Sequence, residues 1–323
     1  MRVVILGAGA IGGTIGARLF QHGHDVALIA RGAHGEAIGA HGLTFVTPQE
    51  RVTLRIPVVA HPAEISWGAD DVVIVAVKSQ DTAAAARNLA VEAGQVPVYS
   101  AQNAVANERI LARWFDQVHG MCVMMPAEHI DAGTVIAHSA ATTGILDVGL
   151  FGGGSDALDD ELAVILEASR FASRPVGDVM SWKYRKLLTN LGNAVQALCG
   201  DGRESPEGRA SLKLLLDEAD AALAAAGITA VSKAEDDQRR GDHLRVTGIA
   251  GHFRGGGSTW QSLARGREVE TDYLNGEIAL LGRLHGVPTP ANAQVQALMS
   301  SAAASGTAPG SMPAADLLAR IRG

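Results

Sequence analysis

The chain has 323 residues, which is long enough for two domains of ordinary size, each with its own core. It carries 27 basic and 34 acidic side chains, and the formal net charge of −7 argues against general binding to nucleic acids or anionic membranes, since both require a basic face. The apolar run at the N-terminus is interrupted by four glycines and followed by Arg18, which argues against a signal peptide, so we expect a cytoplasmic protein. No stretch is long and apolar enough to span a bilayer. The two cysteines lie far apart beside apolar residues, which predicts small buried side chains and neither a disulfide nor a metal site.

The first 30 residues predict a nucleotide-binding unit. RVVIL at 2–6 is a short β-branched run typical of a buried parallel strand, and it leads directly into the glycine-rich segment GAGAIGG. A helix that closes at Gly23 and a second buried strand, DVALIA at 25–30, complete a strand–turn–helix–strand pattern. Glycines let the backbone approach a pyrophosphate, and the helix start offers unpaired N–H groups. The predicted cofactor contacts in this segment are Gly7, Gly9, Ala10, Ile11 and Gly12.

The residue that follows the second strand indicates which dinucleotide binds. Sites that prefer NAD usually have an acidic residue there for the ribose 2′-hydroxyl, whereas this chain has Ala30 and Arg31 and no acid before Glu36. Because an arginine suits a 2′-phosphate, we predict NADPH as the cofactor. The alternative is that Arg31 is a solvated loop residue.

Polar residues follow two further predicted strands. The run 70–78 ends at Lys78, and the strand that begins near residue 96 ends in Gln102 and Asn103. The carboxyl ends of parallel strands meet the cofactor crevice, so Lys78 and Asn103 are candidate cofactor contacts, with a solvated strand end as the alternative for Lys78.

The remaining pattern sets the predicted domain organisation. GTVIAHS (133–139) and GILDVGLFG (144–152) predict a small antiparallel addition to the sheet, and beyond residue 177 the pattern becomes almost wholly helical. We therefore predict an α/β fold with a Rossmann-type dinucleotide-binding domain over residues 1–177, followed by an all-helical substrate and catalytic domain over 178–323. The last segment, from residue 300, has a loose small-residue linker that a last helix could follow, but a poorly ordered terminus is the favoured prediction.

One predicted helix of the second half carries a polar stripe. In WKYRKLLTNLGNAVQALCG (182–200), Lys186, Asn190 and Asn193 fall at i, i+4 and i+7 and share one face. A solvated face and a ligand-binding face both fit this spacing. Asparagine is a poor residue inside a helix because its amide competes for the backbone, which favours the ligand-binding face. The neighbouring Lys183 and Arg185 are predicted to be solvated charges.

Together these segments resemble the ketopantoate reductases (2-dehydropantoate 2-reductases) over nearly the whole chain. The resemblance lies in GAGAIGG, Arg31, VAVKSQDT, QNAVANE, KLLTNLGNAVQAL, STWQSLARGREVETDYLNGEI and GVPTPAN, in this order. It implies a Rossmann domain and a helical domain with the active site in the cleft between them. It also implies NADPH-dependent reduction of ketopantoate to pantoate, in the pathway to pantothenate and coenzyme A.

The resemblance also implies roles for single residues. Lys186 matches the lysine of the family's K-L-x-x-N motif and is the expected general acid, and Glu270 matches the acid of its E-I-D motif. The expected substrate contacts are Asn103, Asn190, Asn193 and Ser258. An N-cap serine is the alternative for Ser258, and an acid favoured by a helix dipole is the alternative for Glu270.

Three positions depart from the family pattern. Ala104 replaces the glycine of Q-N-G, Ser262 replaces the aspartate of S-x-x-Q-D, and Asn193 follows Asn190 by three residues where four are common. These departures leave open a same-fold reductase for a different 2-keto acid. A catalytically silent NADPH-binding protein is a separate alternative. The expected small-molecule partner is a 2-keto acid. The chain can be a monomer or a homodimer, and the sequence leaves both open.

Overall fold

The computed structural model describes residues 1–249 and 255–322. The chain forms two compact units, Met1–Lys183 with Ser232–Phe253 and Tyr184–Val231 with Arg254–Gly323. Over the described residues, the first unit is built of sheets and flanking helices and the second unit is helical. The predicted α/β fold, with a Rossmann-type domain followed by a helical one, is confirmed.

Eleven strands lie in the described part of the first unit. They are β1 (Arg2–Leu6), β2 (Val26–Ile29), β3 (Leu43–Val46), β4 (Arg51–Leu54), β5 (Val58–Val59), β6 (Asp71–Val75), β7 (Val98–Ser100), β8 (Val118–Met124), β9 (Ala127–Glu128), β10 (Thr134–Ala137) and β11 (Ile145–Leu150). Thirteen α-helices lie in the described residues of the two units. They are α1 (Ala10–Gln21), α2 (Gly32–His41), α3 (Thr82–Ala93), α4 (Asn107–Leu111), α5 (Ala157–Ala168), α6 (Val179–Asn190), α7 (Gly192–Cys199), α8 (Pro206–Ala225), α9 (Lys233–His243), α10 (Ser258–Ala264), α11 (Asn275–His285), α12 (Pro290–Ser305) and α13 (Ala314–Arg322).

The main sheet has seven strands in the order β11-β8-β7-β6-β1-β2-β5. Six of them are parallel, and only the edge strand β11 runs antiparallel, to β8. The central strands β1 and β6 are almost completely buried, as expected of parallel strands covered on both faces. This topology brings the carboxyl ends of β1, β2, β6 and β7 to one edge of the sheet.

The predicted pairing of 133–139 with 144–152 is wrong. The first of these segments forms β10, which lies in a separate four-stranded sheet between β3 and β9. The second forms β11, which pairs with β8 in the main sheet. The apolar pattern identifies both segments as strands but does not specify which partners they choose.

Helix α9 belongs to the first unit, although its sequence lies within the predicted helical domain, 178–323. Arg239 makes a fork with the buried Asp147 of β11, its Nε donating to Oδ2 at 3.0 Å and its Nη2 to Oδ1 at 2.6 Å. After the helix, Ser139 and Val246 form a β-bridge, and the amide of Ala140 donates to the carbonyl of Arg245 at 2.9 Å. The first unit also extends along the chain to Lys183, six residues beyond the predicted boundary at residue 177.

Replacing Arg239 with alanine is expected to destabilise the first unit by about 3 kcal/mol, because Asp147 would keep a buried carboxylate without its main partner. Urea unfolding followed by circular dichroism measures this loss. Lys233→Ala is the matched control, since the Lys233–Asp237 pair on the same helix is exposed and should contribute little. Equal stability of the two variants would contradict the role of this ion pair.

The second unit packs its helices around an apolar core. Fully buried side chains of α7, α8, α12 and α13 meet there, including Val195, Leu215, Val295 and Leu317. The favoured prediction of a poorly ordered terminus is therefore wrong, and the alternative of a last helix is confirmed: residues 314–322 form a helix whose Leu317 is 0% exposed and whose Ile321 is 5% exposed. The apolar residues of this last helix recur at helical spacing and attach it to the core.

Both cysteines are buried, as predicted. Burial raises the pKa of the Cys199 thiol to about 11, which keeps it protonated and unreactive at neutral pH. Among the described residues, no helix combines the length and the apolar character needed to cross a membrane.

Candidate active site

The glycine-rich turn joins β1 to α1 and borders a cavity of about 400 Å³. Gly7 adopts a φ of +102°, and a Cβ there would lie 2.9 Å from the backbone nitrogen of Val77, so the position requires glycine. Gly9 is the N-cap of α1, and a Cβ built on it would meet no atom within 4 Å. The turn therefore leaves open space in front of the first N–H groups of α1.

The predicted cofactor contacts take different places around this cavity. Gly7, Gly9 and Arg31 line it. Gly12 instead serves close packing, since a Cβ there would lie 2.1 Å from the carbonyl oxygen of Gly7 and 2.7 Å from Cγ2 of Ile5. Over the described residues, the lining does not include Ala10, Ile11, Lys78 or Asn103.

Three histidines that the sequence reasoning missed also line the cavity, together with the exposed Arg31. They are His34, His61 and His129. His34 accepts the backbone N–H of Gly133 at Nδ1 (2.9 Å), so its Nε2 carries a proton and donates to the carbonyl of Ala8 at 2.7 Å. The ring of His34 thus ties the glycine-rich turn to the start of β10. His61 lies two residues after the end of β5, and its place after a strand end is a signal that could have identified it.

The segments that carry Lys78 and Asn103 lie side by side, because β6 and β7 are neighbouring parallel strands. A buried network of side chains joins them. The Asn107 Nδ2 donates to the carbonyl of Asn103 at 2.8 Å and to the Ser79 hydroxyl at 3.2 Å. The Gln102 Nε2 donates to the carbonyl of Val77 at 2.9 Å. The structure therefore brings these two predicted residues into one region at the carboxyl edge of the sheet.

Ala104, the first departure from the family pattern, adopts a φ of +69° and is 3% exposed. This left-handed conformation explains why glycine suits the position, since a Cβ there costs about 1 kcal/mol. The extra methyl group lies in a buried turn next to Asn103.

Ala104→Gly is expected to raise the free energy of unfolding by about 0.5–1 kcal/mol, because it relieves this strain. The measurement is the change in urea midpoint. Arg170→Gly is the matched control, since Arg170 is also left-handed, with a φ of +66°, but is exposed. A loss of stability in Ala104→Gly, with a gain in the control, would show that packing of the methyl group outweighs the strain.

Lys183 does not carry a solvated charge, and that prediction is wrong. Its side chain is buried and forms an ion pair with the buried Glu108 of α4. On α6, Lys183 lies four residues after Val179 and four before Leu187, and both are fully buried. Its place on the apolar face was thus visible in the sequence, although its partner was not. The neighbouring Arg185 is half-buried, and its Nε donates to the carbonyl of Val231.

The polar stripe lies on two helices, because the predicted single helix is interrupted at Leu191 between α6 and α7. Lys186 and Asn193 are half-buried, and Asn190 is 6% exposed. A fully solvated face is therefore excluded for Asn190.

Gly257, the residue before Ser258, lies close to Asn193 within the second unit. A Cβ on Gly257 would lie 3.1 Å from Oδ1 of Asn193, and the Gly257 N–H donates to Oε1 of Gln196 at 2.9 Å. The alternative of an N-cap role for Ser258 is wrong, because Gly257 is the N-cap of α10 and Ser258 is its first helical residue. Its exposed hydroxyl is thus not used in capping.

Glu270 is half-buried and stands before the short 3₁₀ turn Thr271–Tyr273. Its side chain makes no capping hydrogen bond to that turn, whereas its carbonyl accepts the Tyr273 N–H at 2.9 Å. Ser262, the second departure, is half-buried on α10.

Comparison with known proteins matches both parts of the chain to one family. Residues 3–153 match the family described as Ketopantoate reductase PanE/ApbA, and residues 178–303 match Ketopantoate reductase PanE/ApbA C terminal. The 2-dehydropantoate 2-reductase of Mesorhizobium japonicum is 30% identical over 336 aligned positions, which cover 93% of this chain and 97% of that protein.

Solved structures give the same result for the fold. The PanE/ApbA family ketopantoate reductase from Ralstonia eutropha JMP134 superposes with a TM-score of 0.81 at 29% identity, covering 95% of this chain and 99% of that one. A D-mandelate dehydrogenase, solved with NADH and anilino(oxo)acetate, also has a TM-score of 0.81 with the same coverage. Its identity is 22%, so this likeness concerns the fold alone.

Proposed function

The chain belongs to the ketopantoate reductase family of oxidoreductases, and we propose that it catalyses the NADPH-dependent reduction of 2-dehydropantoate (ketopantoate) to pantoate. The product serves the pathway to pantothenate and coenzyme A. The observation that carries this proposal is the ordered set of family motifs in both units, on a fold whose glycine-rich turn borders a cavity of about 400 Å³. Resemblance of the fold without these motifs would support only a nucleotide-binding protein.

The residues of the first unit fit a dinucleotide. The open space in front of Gly9 and the N-terminus of the 12-residue helix α1 suit a pyrophosphate, which needs backbone N–H donors without obstructing side chains. Arg31, exposed at the cavity rim, would hold a 2′-phosphate. The nearest acid along the chain that could compete for this arginine is Glu36, beyond the start of α2. Bound NADPH supplies the hydride for the carbonyl carbon.

Lys186 is the proposed general acid. Its ammonium donates a proton to the carbonyl oxygen of the keto acid as negative charge develops there, and it also stabilises that charge. Glu270 is proposed to pair with the amine and keep it in place. An acid on a short turn and a half-buried lysine are compatible with this role.

Uncharged donors are proposed to orient the substrate. Asn190 and Asn193 continue the stripe of Lys186, and the exposed Ser258 follows Gly257, which lies beside Asn193. Asn103 follows β7 at the carboxyl edge of the sheet and is proposed to contact both cofactor and substrate. Amide and hydroxyl groups bind a carboxylate and a hydroxyl without adding charge next to the general acid.

Complementation tests this proposal in a cell. A bacterial strain that lacks its own ketopantoate reductase requires added pantoate, and expression of the wild-type chain is expected to remove this requirement. The variant Lys186→Ala, expressed to the same level, is expected to leave the requirement for pantoate in place. Growth that depends on added pantoate with both genes would contradict the proposed function.

A second candidate is the same hydride chemistry on another 2-keto acid. The buried methyl group of Ala104 beside Asn103 and the loss of a carboxylate at Ser262 favour it, since both change the size and charge near proposed substrate contacts. The dehydrogenase solved with anilino(oxo)acetate illustrates that this fold accommodates an aromatic 2-oxo compound.

The chain is also a candidate homodimer. Light scattering after size-exclusion chromatography tests whether two copies associate.

A further inference from the structure

The buried lysine of α6 has a set of partners that a solvated charge does not have. Lys183 is 3% exposed, and its Nζ is within hydrogen-bond distance of three groups besides Glu108. They are the Gln102 carbonyl at 3.0 Å, the Ser100 carbonyl at 3.3 Å and the Ser100 hydroxyl at 3.4 Å. An ammonium has three N–H donors, and the carboxylate and two carbonyls can use all of them.

These two carbonyls belong to the segment that presents Asn103. The Gln102 carbonyl is part of the peptide bond to Asn103, so its direction sets the orientation of that peptide. On the other side, the Asn103 carbonyl accepts the Asn107 Nδ2 at 2.8 Å. Both peptides that flank Asn103 are therefore fixed by buried side chains.

Within residues 101–105, the burial pattern leaves the Asn103 side chain accessible. Residues 101, 102, 104 and 105 are buried, whereas Asn103 between them is half-exposed. The left-handed turn at Ala104 follows immediately, with a φ of +69°. The segment thus presents one polar side chain, at the carboxyl end of β7, on a backbone that cannot rotate without breaking the bonds from Lys183 and Asn107.

Stability alone gives a poor account of this arrangement. Replacing a buried ion pair by apolar residues of similar volume is often neutral or favourable, because the pair must be desolvated. What an apolar replacement cannot supply is a donor for the carbonyl of Gln102. The lysine is thus suited to specify the geometry of the segment.

We propose that Lys183 is a positioning residue of the reductase reaction, which acts through the Gln102–Asn103 peptide to hold the Asn103 amide in its working orientation. This inference rests on the proposed function, in which Asn103 contacts the cofactor and the substrate. Lys183 itself touches neither, since its donors are used within the buried segment.

Two variants separate positioning from folding. Lys183→Met removes the donor and leaves Glu108 unpaired, whereas Lys183→Met combined with Glu108→Leu removes both charges and restores an apolar interior. We expect kcat for ketopantoate to fall about 10²-fold in both variants, since a small misplacement of a contact group has effects of this size. The Kd of NADPH, measured by its fluorescence, should change less than about 3-fold, because Asn103 is one contact among several and the glycine-rich turn and Arg31, which are proposed to hold the phosphates, are untouched. Lys213→Met, at an exposed lysine of α8, is the matched control with wild-type kinetics.

The outcomes decide between the two roles. If the double variant regains both the melting temperature and the kcat of the wild type, Lys183 is only structural and the proposal is overturned. A wild-type kcat in Lys183→Met overturns it as well. If Lys183→Met does not fold, the double variant alone decides.

Hydrogen–deuterium exchange gives a readout that does not depend on the substrate. The amides of residues 101–108 are expected to exchange at least about 10-fold faster in the double variant, with unchanged exchange in β1 and β6. Unchanged exchange in 101–108 overturns the proposal. If the wild type does not reduce ketopantoate at all, the proposed function fails, whereas the exchange experiment still tests whether Lys183 fixes this segment.

Discussion

Replacing Lys186 with alanine is expected to lower kcat for ketopantoate about 10³-fold, because general acid catalysis and stabilisation of the developing alkoxide are lost together. The Kd of NADPH should stay within about 3-fold of the wild type, since the glycine-rich turn and Arg31 lie in the other unit of the chain. Steady-state kinetics and fluorescence titration measure the two quantities. Lys186→Arg should recover only part of the activity, because a guanidinium remains charged and is a poor proton donor.

Thr189→Ala is the matched control for this variant. Thr189 lies on the same helix, α6, three residues from Lys186, and is exposed. It should leave both kcat and the Kd of NADPH unchanged. A loss of NADPH binding as large as the loss of turnover in Lys186→Ala would show that Lys186 is structural.

Replacing Arg31 with alanine is expected to weaken NADPH about 10- to 100-fold and NADH less than about 3-fold. A charge-assisted hydrogen bond to a phosphate is worth about 1.5–3 kcal/mol, and only NADPH carries the 2′-phosphate. The predicted preference of the wild type for NADPH should also decrease at high ionic strength, because Arg31 is exposed and its charge is screened. Titration of both cofactors with both proteins measures the change.

Arg113→Ala controls for a general loss of positive charge, since Arg113 is an exposed arginine of the first unit that does not line the cavity. Equal weakening of NADPH and NADH in Arg31→Ala would contradict the 2′-phosphate role. Unchanged binding of both cofactors in that variant would also exclude this role. It would direct attention to His34, His61 and His129, which line the same cavity.

The local part of the fold could be predicted from the sequence. The predicted strand at 2–6 is β1, and the second, predicted at 25–30, is β2 at Val26–Ile29. Here the hydrophobic pattern and the glycine-rich turn are local signals that agree with each other. The stripe of Lys186, Asn190 and Asn193 was likewise visible, because helical spacing is a local property.

What the sequence did not reveal depends on contacts between distant segments. Lys183 and Glu108 are 75 residues apart, and Arg239 and Asp147 are 92 residues apart. The tautomer of His34 is set by Gly133, 99 residues away. A periodic pattern predicts which face of an element is buried, but it does not predict which charged group finds a partner inside. For the same reason the strands β10 and β11 were recognised while their pairing was not.

The central claim is tested most directly by kcat/KM of the wild-type chain with saturating NADPH. The substrates are ketopantoate, pyruvate, 2-ketoisovalerate and phenylglyoxylate, and the loss of NADPH absorbance gives the rate. We expect a kcat/KM for ketopantoate at least about 10²-fold above the others, a difference of about 2.7 kcal/mol in transition-state binding. A higher value for any other 2-keto acid, or no turnover of ketopantoate, would contradict it.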